Sequence, residues 1–108
     1  MMTATTLTEV APAVTEFLQR KPRLLIDGEW LPAQTGATFA TLNPATGEPL
    51  CDIAAGDAAD VDAAVAAAQR ALPAWASTPP AQRERLLHRF TDLMEAHKEE
   101  LAQLETLD

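Results

Sequence analysis

The sequence predicts a mixed α/β fold in which short strands come first and helices follow. Three observations carry this reading. Two stretches of turn chemistry, Asp27-Gly28 and Asn43-Pro44-Ala45-Thr46-Gly47, separate runs of extended, apolar-rich sequence between residues 24 and 54. From Asp57 onward the apolar residues recur at helical spacing instead. Helix-start signals at Asp57 and at Thr78-Pro79-Pro80 divide that second part.

Residues 1–23 read as an amino-terminal tail. Val10, Val14, Phe17 and Leu18 fall at helical spacing, and Pro12 suits only a first turn. A short docking helix and a frayed terminus both fit this pattern. Leu24-Leu25-Ile26 and Glu29-Trp30-Leu31 flank Asp27-Gly28, which supplies the positive φ angles of a tight hairpin turn. Pro32 and Gln34-Thr35-Gly36 close the second strand. Thr38 to Leu42 is a third extended run. Pro44 fixes φ and biases Asn43 to extended geometry, and Gly47 releases the chain into a fourth strand, Leu50 to Ala54.

Asp57 is a good N-cap, and Asp60 and Asp62 place negative charge at the positive end of the helix dipole. Val61, Val65, Ala68 and Leu72 form one stripe, which Pro73 is expected to end. The alanines at 63, 64, 66, 67 and 68 leave a smooth face suited to close approach by another element. In the next helix Thr78 is the expected cap and Pro79 the first helical residue. Leu86, Leu87, Phe90, Leu93 and Met94 form its stripe. The pattern breaks at Ala96-His97-Lys98 and resumes with Leu101, Leu104 and Leu107. No Gly, Asn or Pro closes that last run, which reads as a helix cut short at Asp108.

Composition narrows the function classes. Of 108 residues, 47% are apolar, but 22 of these are alanine, so little bulk is available for a core. Made alone, such a chain is expected to be partly folded or self-associating. The net charge is −8, and beyond Arg20, Lys21 and Arg23 there are 14 acids against 5 bases. That balance argues against nucleic acid and anionic membranes as partners. A single cysteine suits a reducing compartment, and no membrane span or leader is evident, so a cytoplasmic location is expected.

The chemistry-bearing residues are few. Cys51, in a strand beside Asp52, reads as a structural thiol whose pKa its neighbour raises. His88 and His97 have no metal-type spacing to a cysteine. Asp57, Asp60 and Asp62 lack the glycine and terminal glutamate of a calcium loop. No G-x-G-x-x-G, P-loop or G-x-S-x-G is present. Trp30 and Trp75 read as core or interface anchors.

Five blocks in register resemble the aldehyde dehydrogenase superfamily. They are Leu25-Ile26-Asp27-Gly28-Glu29-Trp30, then Thr41 to Glu48 with its N-P-A-T-G-E turn, then Gly56-Asp57 through Val65. Arg83 through Glu95 and Glu100 through Asp108 complete the set. The resemblance implies a strand and hairpin region over 24–56. Residues 57–108 would then be the helical start of a Rossmann-like NAD(P)-binding domain, truncated. It implies NAD or NADP as cofactor, the rest of the subunit and a homo-oligomer as partners, and oxidation of aldehydes to acids. In that reaction a cysteine thiolate attacks, hydride leaves, and a glutamate base drives thioester hydrolysis. The matching catalytic and cofactor-binding residues all lie beyond this stretch, so the expected sites here are catalytic none and cofactor-binding none. Cys51 matches no catalytic position. The isolated chain is therefore expected to be inactive, and the competing reading is a stand-alone interaction or assembly module.

One site is implied to begin here. Some members hold a structural monovalent cation through the backbone carbonyl matching Thr41 and the carboxylate matching Asp108. The other reading is that Thr41 is an ordinary strand residue and Asp108 a chain end. Ala13 to Leu18 followed by Leu24 to Gly28 is most similar to the phenylacetaldehyde-oxidising branch.

Overall fold

The computed structural model describes residues 9–108. In chain order the elements are α1 (Pro12–Gln19), β1 (Leu24–Ile26), β2 (Glu29–Leu31), β3 (Thr38–Leu42) and β4 (Pro49–Ala54). The helices α2 (Ala58–Ser77), α3 (Pro80–Ala96) and α4 (Lys98–Leu107) follow. The strands form two separate antiparallel pairs, β1 with β2 and β3 with β4.

Local chemistry explains both hairpins. Asp27 and Gly28 have φ of 54° and 78°, the left-handed pair that a two-residue turn needs, and Ile26 faces Glu29 across it. In the second hairpin the Asn43 side chain accepts from Ala45 N at 2.9 Å, and the Asn43 carbonyl accepts from Gly47 N at 2.7 Å. Gly47 takes φ of 74° there. The register shift between Thr41 and Leu42 leaves Leu50 as an extra residue on β4, a bulge beside the turn.

Of the two readings of the tail, the docked helix is the one formed. Pro12 occupies its first turn, and α1 packs against α4 and β4. Val14, 1% exposed, is the most buried large side chain, and Ala11 N donates to Gln103 Oε1 at 2.7 Å. The stretch 1–8 of the expected tail lies outside the described residues.

Two expectations about the helices are corrected. Pro73 does not end α2, which continues to Ser77. Proline removes one intrahelical donor, and the good helix formers on both sides, Ala71, Ala74 and Ala76, carry the helix across the gap. Thr78 does not open α3 either. Its hydroxyl donates to Ala74 O at 2.8 Å, so it closes α2, and Pro79 takes the N-cap position of α3 with Pro80 first in the helix. The break at His97 and the short third helix form as expected.

The core is thin. Among the described residues only Val14, Ala33, Ala67 and Asp60 are buried. The radius of gyration is 18.3 Å and the molecule measures 63 × 38 × 18 Å. A compact chain of this length would have a radius near ~13 Å. The molecule is an open plate whose helices α2 and α3 leave their apolar stripes uncovered.

Candidate functional site

Thr41 and Asp108 are 67 residues apart, yet the Thr41 hydroxyl donates to Asp108 Oδ1. Thr41 sits near the end of β3, paired with Cys51 beside the β4 bulge, and α4 delivers Asp108 as the residue after its last turn. The β3–β4 pairing sets Cys51 directly across from Thr41. Burial pushes the Cys51 thiol upward, and the charges of Asp52 and Asp108 push it in the same direction. A thiol held protonated in this way is a poor nucleophile. Cys51 is half-buried rather than fully enclosed. The oxygens at this corner are hard donors, the type that holds alkali and alkaline-earth cations. Among the described residues no group of three or more His, Cys, Asp or Glu side chains converges on one point.

Sequence reasoning missed a second constellation, centred on Asp60. Its carboxylate accepts from Asp57 N at 3.0 Å, while the Asp57 side chain accepts from Ala59 N and Asp60 N. This reciprocal capping box opens α2. Asp60 Oδ1 also accepts from Gln34 N at 3.0 Å, which ties the loop after β2 to the helix. The Asp57 amide holds the Asp60 carboxyl below its ordinary value; burial opposes this, and the Gln34 amide adds to it. The D-x-x-D spacing could have revealed the capping half. Nothing local signals the bond to Gln34.

His88 and His97 lie on the surface with Glu84 and Glu100 as neighbours, at 3.6 and 3.1 Å. Arg20 is engaged by Glu16 at 2.5 Å, and with Lys21 and Arg23 it lines a groove walled by Phe17 and Trp30. The four glycines, at 28, 36, 47 and 56, serve turns and a close packing contact; Gly56 has the Leu24 side chain against it. None builds a phosphate-cradling loop. No helix among the described residues is long and apolar enough to cross a membrane.

The hairpins, the turn at 43–47 and the helix order are those of a known group of enzymes. Residues 30–108 match the family described as "Aldehyde dehydrogenase family". The chain belongs to the aldehyde dehydrogenase family. DhaS of Bacillus subtilis is 51% identical over 102 residues, covering 93% of this chain and 21% of its own. A phenylacetaldehyde dehydrogenase of Pseudomonas fluorescens is 44% identical over 110 residues, covering 100% of this chain and 22% of its own. Among solved structures, the aldehyde dehydrogenase of Bacillus cereus in complex with NAD+ superimposes with a TM-score of 0.89. It is 43% identical, over 93% of this chain and 21% of that one. This aldehyde dehydrogenase segment thus spans about one fifth of the length of the relatives it matches, and it holds the aldehyde dehydrogenase fold over that fifth.

Proposed function

We propose that the chain works as the amino-terminal part of a subunit that oxidises an aldehyde to a carboxylic acid with NAD or NADP, and that it is catalytically silent by itself. The observation that carries this reading is the TM-score of 0.89 against one fifth of an NAD+-binding aldehyde dehydrogenase. The residues present do not form a dinucleotide cradle, since none of the four glycines lies in a phosphate loop. The one thiol is held protonated. In this reading residues 24–56 are a strand region and 57–108 begin the cofactor domain. The segment's role is to position the remainder, and the subunits assemble as homo-oligomers.

The corner of Thr41 and Asp108 supplies two oxygen ligands to a structural monovalent cation, the Thr41 carbonyl and the Asp108 carboxylate. Their approach across 67 residues of sequence supports this. The remaining ligands come from the rest of the subunit.

The test is a covalent chimera in which this chain replaces the corresponding fifth of the Bacillus cereus enzyme. NAD-linked aldehyde oxidation is expected from the chimera and none from the isolated chain. An inactive chimera that folds, or turnover by the isolated chain that Cys51→Ala abolishes, would overturn the reading. The second reading, a separate assembly module, draws on the uncovered apolar stripes of α2 and α3. A cooperative, monomeric chain that unfolds in one sharp step would favour it.

A further inference from the structure

A basic groove with aromatic walls lies where α1 gives way to the first hairpin. Phe17, Arg20, Lys21, Pro22, Arg23 and Trp30 line it, around a volume of 470 Å³. Sites for small organic molecules run to about 300–1,000 Å³. The lining comes from one short stretch of chain: the end of α1, the connection to β1, and β2. Both rings are open to a ligand, Phe17 at 39% and Trp30 at 58% exposure.

The charge at the groove runs against the rest of the molecule. The chain carries −8, yet three of its eight basic residues fall at positions 20–23. Arg20 is shared with Glu16 at 2.5 Å. Among the described residues no carboxylate pairs with Lys21 or Arg23. The nearby acids are turned elsewhere: Asp27 pairs with Arg70 at 3.2 Å, and Glu29, next to Trp30 on β2, points to the opposite face of the strand. Lys21 follows the C-cap Arg20 with φ of 53°, a left-handed position that glycine fills without strain. Cations suit a helix C-terminus, which accounts for the charge of Arg20 and Lys21. It accounts neither for a lysine in place of glycine nor for Arg23 and the Trp30 ring.

The same surroundings select the ligand. The carbonyl end of α1 carries partial negative charge, which opposes a doubly charged phosphate. No glycine lines the groove to bring backbone amides onto one. A single carboxylate meets a guanidinium through two parallel hydrogen bonds, and an aryl ring packs on Trp30 and Phe17. We propose that this groove is a binding site for small aromatic monocarboxylates. Arg23 and Lys21 hold the carboxylate, and Trp30 and Phe17 take the ring. The site does not depend on the function proposed above.

The probe is phenylacetate, titrated by calorimetry into the chimera and into the 108-residue chain. Arg23→Ala and Trp30→Leu are each expected to weaken binding about tenfold. The KM of the chimera for its aldehyde should stay unchanged, which separates the groove from the aldehyde site. Lys21→Gly should keep or raise the thermal midpoint of the chimera and still weaken binding, an effect that a purely capping lysine would not have. Phenylacetamide, which lacks the charge, and inorganic phosphate, which lacks the ring, should both bind much more weakly. Phosphate that competes as well as phenylacetate would reduce the groove to a plain anion patch and overturn the proposal. Phenylacetamide binding as tightly would remove the role of the cations and overturn it too. So would binding that neither Arg23→Ala nor Trp30→Leu alters, a KM that moves with the lost binding, or no binding to either protein. An inactive chimera that still binds phenylacetate with these losses would sink the proposed function and leave this site standing.

Discussion

At the scale of single residues, buried Asp60 and exposed Asp108 each act on more than one neighbour. Asp60 accepts from two backbone amides 23 residues apart, Asp57 and Gln34. Its carboxyl is held below the ordinary range, so its ionised form is favoured in the folded chain. The stabilisation is present above the unfolded carboxylate value of about 3.9 and is lost as pH falls through the lower folded value. In the folded chimera, Asp60→Asn should lower the thermal midpoint at neutral pH more than Asp62→Asn does. The gap to the unsubstituted protein should close as the pH falls below the ordinary carboxylate range, as a melt series would show. Asp108 acts on two neighbours, Thr41 and Cys51. Asp108→Asn removes one of the charges that raise the thiol, so alkylation of Cys51 by iodoacetamide near neutral pH should speed up. In the active chimera the same substitution should abolish any dependence of the thermal midpoint on potassium or sodium, measured against choline at equal ionic strength.

At the scale of elements, what could be read from sequence is what local chemistry decides. Asp27-Gly28 and the 43–47 turn specify their hairpins through φ angles and short-range hydrogen bonds, and Asp57 specifies the start of α2. The errors came where one local rule met a stronger neighbour. Pro73 sits among alanines that hold the helix together, and the Thr78 hydroxyl finds the Ala74 carbonyl before any α3 amide. The Gln34 bond to Asp60 and the Thr41 bond to Asp108 span 26 and 67 residues, and no spacing rule reaches that far. The family resemblance names Thr41 and Asp108 together as cation ligands, a different arrangement from the hydroxyl-to-carboxylate bond observed. Two substitutions test the local rules. Pro73→Ala restores a backbone donor in mid-helix and should stabilise α2 by about 1–3 kcal/mol, read from denaturant melts of the chimera. Gly28→Ala meets open space but keeps φ of 78°, so the β1–β2 hairpin should lose about 1 kcal/mol from backbone strain alone.

At the scale of the whole molecule, the plate shape sets what the free chain does in solution. With three buried apolar side chains among the described residues, two of them alanine, little apolar area leaves water on folding. Domains hold only about 5–15 kcal/mol of net stability at best. The purified chain should therefore melt broadly, bind a dye such as ANS, and sediment as a mixture of sizes above 11.6 kDa. A clean monomer with a steep transition would contradict this. The two sheets add to the tendency, because among the described residues no third strand joins either two-stranded pair, and the outer edge of β4 is met only where Ala54 N donates to Pro22 O.

The bond between Ala11 and Gln103 has a temporal side. Both hairpins close over a handful of residues and form within about 1–10 μs of leaving the ribosome. The seat of α1 on α4 cannot form until 92 more residues have been made. At about 5–20 residues per second that is an interval of ~5–18 s. Throughout it Val14, the most enclosed large side chain of the finished segment, stands in water. A nascent chain stalled before α4 emerges should expose α1 to proteases and chaperones while its hairpins are already protected.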